Sequence, residues 1–510
     1  MTRLLLISMI CALILHDNYV AGEIIEKYRI YELKLEAASK GNPFRDVQIQ
    51  ATFQNNGDKV AVNGFYDGDG QFIVRFMPQT EGDWTYNTKS NIEALNNVKG
   101  SFKCISASAG NHGIVRVFNT FHFKHDDGTQ FYPFGTTGYA WIHQPENIQE
   151  QTLETLKNSP FNKIRMCVFP KWYEFNRTEP QLYPYLGNAP DKWDFWKFNT
   201  AFFRHLEKRI SQLNDIGVQC DLILFHPYDG GHWGFDRMSD EQDDFYIRYI
   251  IARLGAYSNI WWSLANEFDF MEEKQDEDWD RFLAILAEED PYNHLRSIHN
   301  GVRWYDHTNP LITHLSIQED PWEDGGVGEG PQKIDRWKNK YNKPVIIDEM
   351  KYEGDLKYSF GDLTAEEMTC RFWYTLTKGA YATHGETYMN DEEIIWWSKG
   401  GELTGGSVSR INFLRTIIED APPGGFAACL DMEEDGNTAR AGESYYLVYF
   451  GARQPSGRII KLSDDKRYTL ELIDTWNMTI TPLDAIYSGR CFVKLPGKPY
   501  MAIRAKVRLN

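Results

Sequence analysis

Residues 219–225 read QCDLILF, and residues 260–265 read IWWSLA. Between these two apolar runs, residues 239–254 form an amphipathic helical pattern that ends at Gly255. Strands that are buried on both faces of a parallel sheet read as continuous apolar runs, and a helix usually connects them. The segment therefore predicts a β-α-β unit, and the repetition of this unit decides the fold.

The same alternation extends on both sides, from about residue 118 to residue 420. Eight apolar runs recur, at residues 131–135, 163–169, 219–225, 260–265, 295–299, 311–317, 344–348 and 381–384. Helical patterns lie between most of them, at residues 196–214, 239–254, 277–289 and 364–378. Eight such units predict a (β/α)8 TIM barrel over residues 118–420. A doubly wound open sheet would need a glycine-rich phosphate turn after the first strand, and the sequence there is TTGYAW.

Two all-β regions flank the predicted barrel. Residues 23–117 contain short alternating runs separated by glycine turns, which predict an Ig-like β-sandwich. After the linker APPGG at residues 421–425, strand patterns return and predict a second β-sandwich over residues 421–510. The expected fold class is therefore α/β, with a TIM barrel between two β-sandwiches.

Residues 1–22 have the composition of a secretory signal peptide. Arg3 provides a short positive region, residues 4–15 form an apolar run, and small residues precede the expected cleavage after Gly22. The apolar run is too short to span a bilayer, and a buried N-terminal helix is the alternative. We expect a secreted, extracellular protein.

Charge and cysteine content exclude several classes of protein. The 510 residues include 54 Lys and Arg against 72 Asp and Glu, a net charge of −18. Nucleic acids and anionic membranes bind basic surfaces, so neither is an expected partner. The 7 cysteines are too few for a disulfide-stapled scaffold and lack the spacing of a zinc site. We expect no cofactor and no metal, and the oligomeric state is open.

Two of the predicted barrel strands end in a glutamate. Strand four ends in Asn266-Glu267, and strand seven, at residues 343–349, ends in Glu349. Active sites of TIM barrels lie at the carboxyl ends of the strands, so both side chains should point into one mouth. Glycoside hydrolysis needs such a pair, one carboxyl group with a raised pKa and one ionised carboxylate. The alternative is a structural salt bridge at each strand end.

These strand ends resemble clan A of the retaining glycoside hydrolases. The resemblance implies that Glu267 is the acid/base, that Glu349 is the nucleophile and that Asn266 contacts the 2-hydroxyl of the sugar. The segments GNPF at 41–44, GFYDG at 64–68 and GDW at 82–84 are similar to the N-terminal domain of apiosidase-like barrel proteins. Those proteins often carry an N-terminal Ig-like domain and a C-terminal sandwich. Some are thought to use an aspartate as acid, which makes Asp269 the alternative to Glu267.

Other charged and imidazole side chains lie near the strand ends. Arg165 sits inside apolar strand two, where clan A enzymes similarly have an arginine, and its charge would keep Glu349 ionised. His226, His314 and His384 should point toward the mouth as partners of sugar hydroxyls or of the glutamates. A satisfied core histidine is the alternative for each of them.

Aromatic residues follow several of the predicted strands. Sugar rings pack their C–H faces on aromatic rings, so Trp141 and Tyr228 are candidate substrate contacts, with ordinary packing as the alternative. Glu386, just beyond strand eight, is either a substrate ligand or a loop charge.

The sequence thus predicts a secreted retaining glycoside hydrolase that acts on an oligosaccharide or polysaccharide. One alternative is a catalytically inactive carbohydrate-binding protein on a TIM-barrel scaffold. Another is a metal-dependent hydrolase that uses the histidines. The sugar, its anomeric linkage and the choice between exo and endo action stay open.

Overall fold

The computed structural model describes residues 23–319, 330–429, 432–433 and 437–508. The predicted signal peptide, residues 1–22, lies outside the described residues. Three regions follow one another along the chain: a β region, a barrel and a second β region.

The N-terminal β region consists of two sheets packed face to face. Its elements are β1 (Glu23–Glu26), β2 (Tyr31–Glu36), α1 (Pro43–Asp46), β3 (Ile49–Asn55), β4 (Asp58–Asn63), β5 (Phe65–Gly68), β6 (Gln71–Phe76), β7 (Gly82–Ser90) and β8 (Lys99–Ile105). One sheet has the order β1-β8-β7-β3-β4 and the other β2-β6-β5. Phe53 and Phe76 stack between the sheets with ring centroids 4.1 Å apart. A β-rich region is confirmed here, and the narrower Ig-like assignment stays a prediction.

A small sheet of three strands closes the end of the barrel at which the barrel strands begin. It consists of β9 (Val115–Phe118), β10 (His122–His125) and β11 (Gln130–Phe131). Phe123 lies 5.3 Å from the Trp261 ring and 5.5 Å from the Tyr381 ring, and both of these residues lie where barrel strands begin. The boundary predicted after residue 117 falls within β9.

The central region is a barrel of parallel strands surrounded by helices. Its elements are β12 (Phe134–Thr137), α2 (Glu146–Lys157), β13 (Lys163–Cys167), β14 (Tyr185–Asn188), β15 (Lys192–Phe198), α3 (Thr200–Asp215), β16 (Gln219–Phe225), α4 (Asp240–Leu254), β17 (Ile260–Ala265), α5 (Asp276–Glu289), β18 (Arg296–Ser297), β19 (Leu315–Gln318), α6 (Gly330–Tyr341), β20 (Val345–Glu349), α7 (Ala365–Thr377), β21 (Tyr381–His384), α8 (Trp396–Lys399) and α9 (Ser407–Glu419). The eight barrel strands have the order β18-β17-β16-β13-β12-β21-β20-β19. A parallel bridge between His299 and Ser316 joins the two ends of this sheet. The TIM-barrel prediction is confirmed.

Local interactions explain where the helices differ from their predicted limits. Helix α3 begins at Thr200 instead of residue 196, because β15 pairs with β14 as an inserted hairpin. The Asn199 side chain then caps α3 by accepting a hydrogen bond from the Ala201 amide at 3.2 Å. Ser239 and Gln242 form a capping box that starts α4 where the sequence predicts it.

The C-terminal β region packs against the barrel helices. Its strands are β22 (Ala427–Ala428), β23 (Asn437–Ala441), β24 (Tyr445–Tyr449), β25 (Gly457–Lys461), β26 (Tyr468–Asp474), β27 (Thr479–Tyr487), β28 (Arg490–Lys494) and β29 (Met501–Val507). One sheet has the order β22-β23-β24-β29-β26-β27, and β25 pairs with β28. Tyr449 stacks on Trp373 of α7, with centroids 5.0 Å apart. In the part of the chain that the structure describes, every helix is too short or too polar to cross a membrane.

Candidate active site

The two predicted glutamates share one mouth of the barrel. Glu267 is the second residue after β17, and its φ of 51° lies in the left-handed region, where a non-glycine residue is strained by about 1–3 kcal/mol. Glu349 lies opposite Gln318, where a shift of register between β19 and β20 re-aims the side chains. With its amide oriented to satisfy its partners, the Gln318 nitrogen lies 3.2 Å from Glu267 Oε1 and 3.2 Å from Glu349 Oε2. One side chain therefore bridges the two carboxyl groups.

Glu349 is surrounded by hydrogen-bond donors. Arg165 Nη1 lies 3.3 Å and His299 Nε2 lies 3.2 Å from Oε1. The Tyr139 hydroxyl donates to the same oxygen, and the Tyr352 hydroxyl donates to Oε2 at 2.6 Å. Burial alone would raise the pKa of Glu349, but His299, Arg165 and Tyr139 outweigh it and lower the pKa to about 2. Glu349 is therefore the ionised member of the pair.

Glu267 has the opposite environment. It is buried, it accepts hydrogen bonds from the Tyr228 hydroxyl and from Asn266 Nδ2, the latter at 3.0 Å, and it faces a second carboxylate. Burial and the negative charge of Glu349 raise the pKa of Glu267 to about 7. A carboxyl group that keeps its proton near neutral pH is suited to general acid catalysis.

Arg165 and Asn266 connect the two carboxyl groups through a second route. Arg165 Nη2 donates to Asn266 Oδ1 at 3.0 Å, and the Tyr139 hydroxyl lies 3.1 Å from the same oxygen. Asn266 in turn donates to Glu267, while Arg165 and Tyr139 contact Glu349. The side chain that holds Glu267 is therefore itself held by two side chains that contact Glu349.

A buried charge network lies beneath the site. Lys163 Nζ lies 2.6 Å from Asp221 and 2.7 Å from Asp348, and all three side chains are fully buried. The hydroxyls of Ser316 and Thr383 each donate to Asp348 at 2.6 Å. Unpaired buried charges are very costly, so this network links five barrel strands tightly, namely β13, β16, β19, β20 and β21. The pattern of the sequence did not indicate this network.

An open cleft of about 640 Å³ leads to Glu267 and Glu349. Glu174, Glu319 and Lys351 add charge to its lining. Its aromatic lining consists of Tyr173, Phe175, Tyr228, Tyr352, Tyr358, Phe360 and Trp397. Aromatic walls around a few convergent polar groups are suited to a sugar ring.

Three of the predicted substrate-binding residues lie beside the carboxyl pair: Arg165, Asn266 and Tyr228. His226 contacts Tyr228 and acts on the carboxyl pair through it. Its Nδ1 accepts the Tyr228 amide hydrogen at 3.1 Å, and its Nε2 donates to the Phe169 carbonyl at 3.1 Å. His226 thus positions Tyr228, while Tyr228 contacts Glu267.

The structure places two predicted histidines away from the mouth. His314 precedes β19 and contacts Thr313, Phe123 and Trp261 at the opposite end of the strands, so its predicted position is wrong. His384 is also misplaced by the prediction. Side chains alternate along a strand, and because Thr383 points inward to Asp348, His384 points outward, where it stacks on Phe161 at 4.8 Å.

Trp141 and Glu386 are buried and contact other parts of the protein. Trp141 is completely buried, and its Nε1 lies 3.4 Å from Met166 Sδ, so its predicted contact with a sugar is wrong. Glu386 accepts hydrogen bonds from the amide and hydroxyl of Thr404 and from the Gly405 amide, at 2.7–2.8 Å. These bonds hold a loop and occupy both carboxylate oxygens, which corrects the reading of Glu386 as a substrate ligand.

Asp269, the alternative acid, binds the backbone of residues 301–303. It accepts hydrogen bonds from the backbone amides of Gly301, Val302 and Arg303 at 2.5–2.8 Å. Burial would raise its pKa, but these three amides outweigh it and lower the pKa of Asp269. An acid held in its ionised form is a poor proton donor, which favours Glu267.

Sequence reasoning missed several residues of the site: Tyr139, Lys171, Gln318 and Tyr352. Tyr139 follows β12, Lys171 follows β13 after a short turn, and Gln318 is the last residue of β19. A search of every polar residue at a strand's carboxyl end would have found these three. Tyr352 would have been harder to find from the sequence. Its position depends on the distant Gly385, where a Cβ atom would collide with the Tyr352 ring. Among the described residues, no group of three or more His, Cys, Asp or Glu is placed to hold a metal.

The sequence profile of the apiosidase-like catalytic domain matches residues 119–412. The chain belongs to this family. The predicted family resemblance is confirmed. The flanking regions match two domains of unknown function, DUF5060 over residues 24–91 and DUF5605 over residues 435–506.

Several solved structures are similar to this chain. A crystal structure of a candidate glycoside hydrolase from Bacteroides vulgatus ATCC 8482 is 41% identical, covers 95% of this chain and 100% of that chain, and has a TM-score of 0.90. A protein described as a glycoside hydrolase has 14% identity, coverage of 79% and 98%, and a TM-score of 0.59. A family 5 glycoside hydrolase from the same Bacteroides strain has 14% identity, coverage of 78% and 94%, and a TM-score of 0.58. The last two show the fold. Among curated proteins, no match to this chain was found.

Proposed function

We propose that the chain is a secreted glycoside hydrolase that cleaves O-glycosidic bonds by a retaining mechanism. The observation that carries this proposal is the pair formed by Glu267 and Glu349. Their pKa values of about 7 and about 2 differ in the directions that an acid and a nucleophile require. Membership of the apiosidase-like family supports the same reaction class.

In the first step, Glu267 donates its proton to the leaving glycosidic oxygen while Glu349 attacks the anomeric carbon. The bond to the leaving group breaks, and a covalent glycosyl-enzyme forms on Glu349. In the second step, Glu267, now ionised, removes a proton from water, and the oxygen of this water displaces Glu349. The product keeps the anomeric configuration of the substrate.

The spacing of the carboxyl groups favours retention. The Gln318 nitrogen lies 3.2 Å from an oxygen of each glutamate, so these two oxygens are no more than twice 3.2 Å apart. Inverting enzymes keep their carboxyl groups about 6.5–9.5 Å apart to admit a water, and retaining enzymes keep them about 5–5.5 Å apart. This close approach of two carboxyl oxygens is compatible with the spacing of retaining enzymes.

The remaining residues have supporting roles in this mechanism. Arg165 keeps Glu349 ionised, and Asn266 is placed between both glutamates, beside the expected 2-hydroxyl. Tyr228, Tyr173 and Trp397 line the cleft and offer surfaces for the sugar. Export of the protein rests on the signal-like sequence of residues 1–22.

A substrate screen with matched variants tests the proposal. Wild type and Glu349→Ala are compared on aryl-glycosides and polysaccharides, and Glu154→Ala, which removes an exposed helix glutamate, is the control. We expect the loss of Glu349 to abolish hydrolysis, azide to restore part of it with an inverted glycosyl azide, and the control to match wild type. NMR of the first product formed by wild type should show retention.

Other outcomes would favour the alternatives. Full activity in Glu349→Ala contradicts the mechanism. Calorimetric binding of a glycan that wild type never cleaves would indicate an inactive carbohydrate-binding protein. Activity that disappears in EDTA and returns with a divalent metal would indicate a metal-dependent hydrolase.

A further inference from the structure

Lys171 is a buried cation among three tyrosine rings of the site. Only 1% of it is exposed, and its Nζ lies 3.7 Å from the centroid of the Tyr139 ring, 4.0 Å from that of Tyr228 and 4.9 Å from that of Tyr173. In the described ranges, no acidic side chain comes within the 4.0 Å of an ion pair with this ammonium. A lysine is rarely buried in this way unless it is paired.

Two of these tyrosines are the residues that hold the glutamates. Tyr139 donates its hydroxyl to Glu349, and Tyr228 donates its hydroxyl to Glu267. Tyr173 donates to Ser398 Oγ at 2.7 Å, which fixes the third wall. Lys171 thus lies against the rings of both donors, and it is not one of the residues that line the cleft.

A cation on an aromatic face is attracted by the ring, by up to about 2 kcal/mol or more where water is excluded. Such an attraction fixes the orientation of each ring and makes its hydroxyl a stronger donor. The same charge acts on Glu267 directly, and it lowers the pKa that burial and Glu349 raise.

Several titratable groups surround Glu267, and their signs differ. Facing it are Glu349 from β20, Tyr228 from the loop after β16, and Lys171 and Tyr173 from the loop after β13, with Arg165 behind Asn266. Glu349 favours the protonated form of Glu267, and Lys171 opposes it. Lys171 is therefore the charge whose removal isolates this effect.

We propose that Lys171 is a positioning residue, whose ammonium orients Tyr139 and Tyr228 toward the two glutamates and supplies a positive charge near Glu267. This inference rests on the proposed acid/base role of Glu267. It assigns Lys171 no contact with substrate, because Lys171 is buried and is not one of the residues that line the cleft.

The test compares Lys171→Met, which keeps the length and removes the charge, with Lys171→Arg, which keeps the charge. In Lys171→Met we expect the alkaline limb of kcat/KM to move up by about one pH unit, since an opposite charge no longer favours ionised Glu267. Lys171→Arg should keep the limb of wild type. The control is Lys338→Met, since Lys338 is also buried and lies 4.7 Å over the Phe121 ring, on the outer helix α6. It should lose stability without moving the limb.

A second readout needs no substrate. Carbon-13 NMR of side-chain-labelled glutamate, assigned with Glu267→Gln, reports the titration midpoint of Glu267, which should rise by the same amount in Lys171→Met. Lys171→Gln replaces the methionine variant if that protein does not fold. An unchanged midpoint in a folded neutral variant overturns the role of Lys171. Absence of hydrolysis by wild type, with the midpoint shifted, contradicts the proposed function alone.

Discussion

Replacing Arg165 by methionine should shift the acid limb of the pH–activity profile to higher pH and reduce the stability of the fold at neutral pH. Arg165 is fully buried, its Nη1 lies 3.3 Å from Glu349 Oε1, and its Nη2 lies 3.0 Å from Asn266 Oδ1. Methionine keeps most of the apolar volume of the side chain and removes the charge and every donor. The loss is therefore electrostatic rather than a loss of packing.

The magnitude follows from the position of this charge. A cation this close lowers the pKa of a carboxyl group by about 1–3 units, so the pKa of Glu349 should rise from about 2 to about 3–5. A folded-state pKa below the unfolded value stabilises the fold above about pH 4.5, and this stabilisation disappears as the pH falls toward 2. At about 1.4 kcal/mol per unit, the variant should lose about 1–4 kcal/mol at pH 7. Its stability should depend less on pH between 4.5 and 2.

The assays are the pH dependence of kcat/KM and denaturant unfolding at pH 7 and at pH 4. Arg209→Met is the matched control, because Arg209 is also fully buried and pairs with Glu146 and Glu150 on a surface helix. The control should lose stability and keep the acid limb. An acid limb in Arg165→Met that coincides with that of wild type would refute the reasoning.

Two further predictions concern the acid. The wild-type profile of kcat/KM should be bell-shaped, with activity lost above about pH 7 as Glu267 ionises and lost at acid pH as Glu349 takes up a proton; an alkaline limb above pH 9 would argue against Glu267. Asp269→Asn should lower Tm by weakening three backbone hydrogen bonds, at a cost of about 1–3 kcal/mol, and should keep the alkaline limb; if Asp269 were the acid, hydrolysis of substrates with poor leaving groups would disappear instead.

Glu267 also contributes to stability, with the opposite sign to Glu349. Its folded pKa of about 7 lies above its ordinary value of 4.5, so the stability that it contributes is complete below about pH 4.5 and is lost as the pH rises through 7. The raised pKa of Glu267 therefore makes the fold less stable at alkaline pH. Such a cost is common where catalysis needs a protonated carboxyl group.

The sequence by itself determined the barrel and the two glutamates. Apolar runs such as residues 219–225 and 260–265 report burial of both faces of a strand, which is a local property of the chain. Because parallel strands in a closed barrel all end at one rim, Glu267 and Glu349 had to meet once the strands were assigned. The resemblance to clan A depended on these same residues, whereas the resemblance to apiosidase-like proteins depended on the segments at 41–44, 64–68 and 82–84.

Only the tertiary structure decided what surrounds the glutamates. The outward turn of His384, the position of His314 at the far end and the approach of Lys171 to two tyrosines depend on how distant segments pack. The pKa values of the two glutamates also depend on the tertiary structure, because the residues that bury each glutamate and act on its charge come from strands far apart in sequence. Periodicity records which face of a strand is buried, but it does not record which neighbours that face meets.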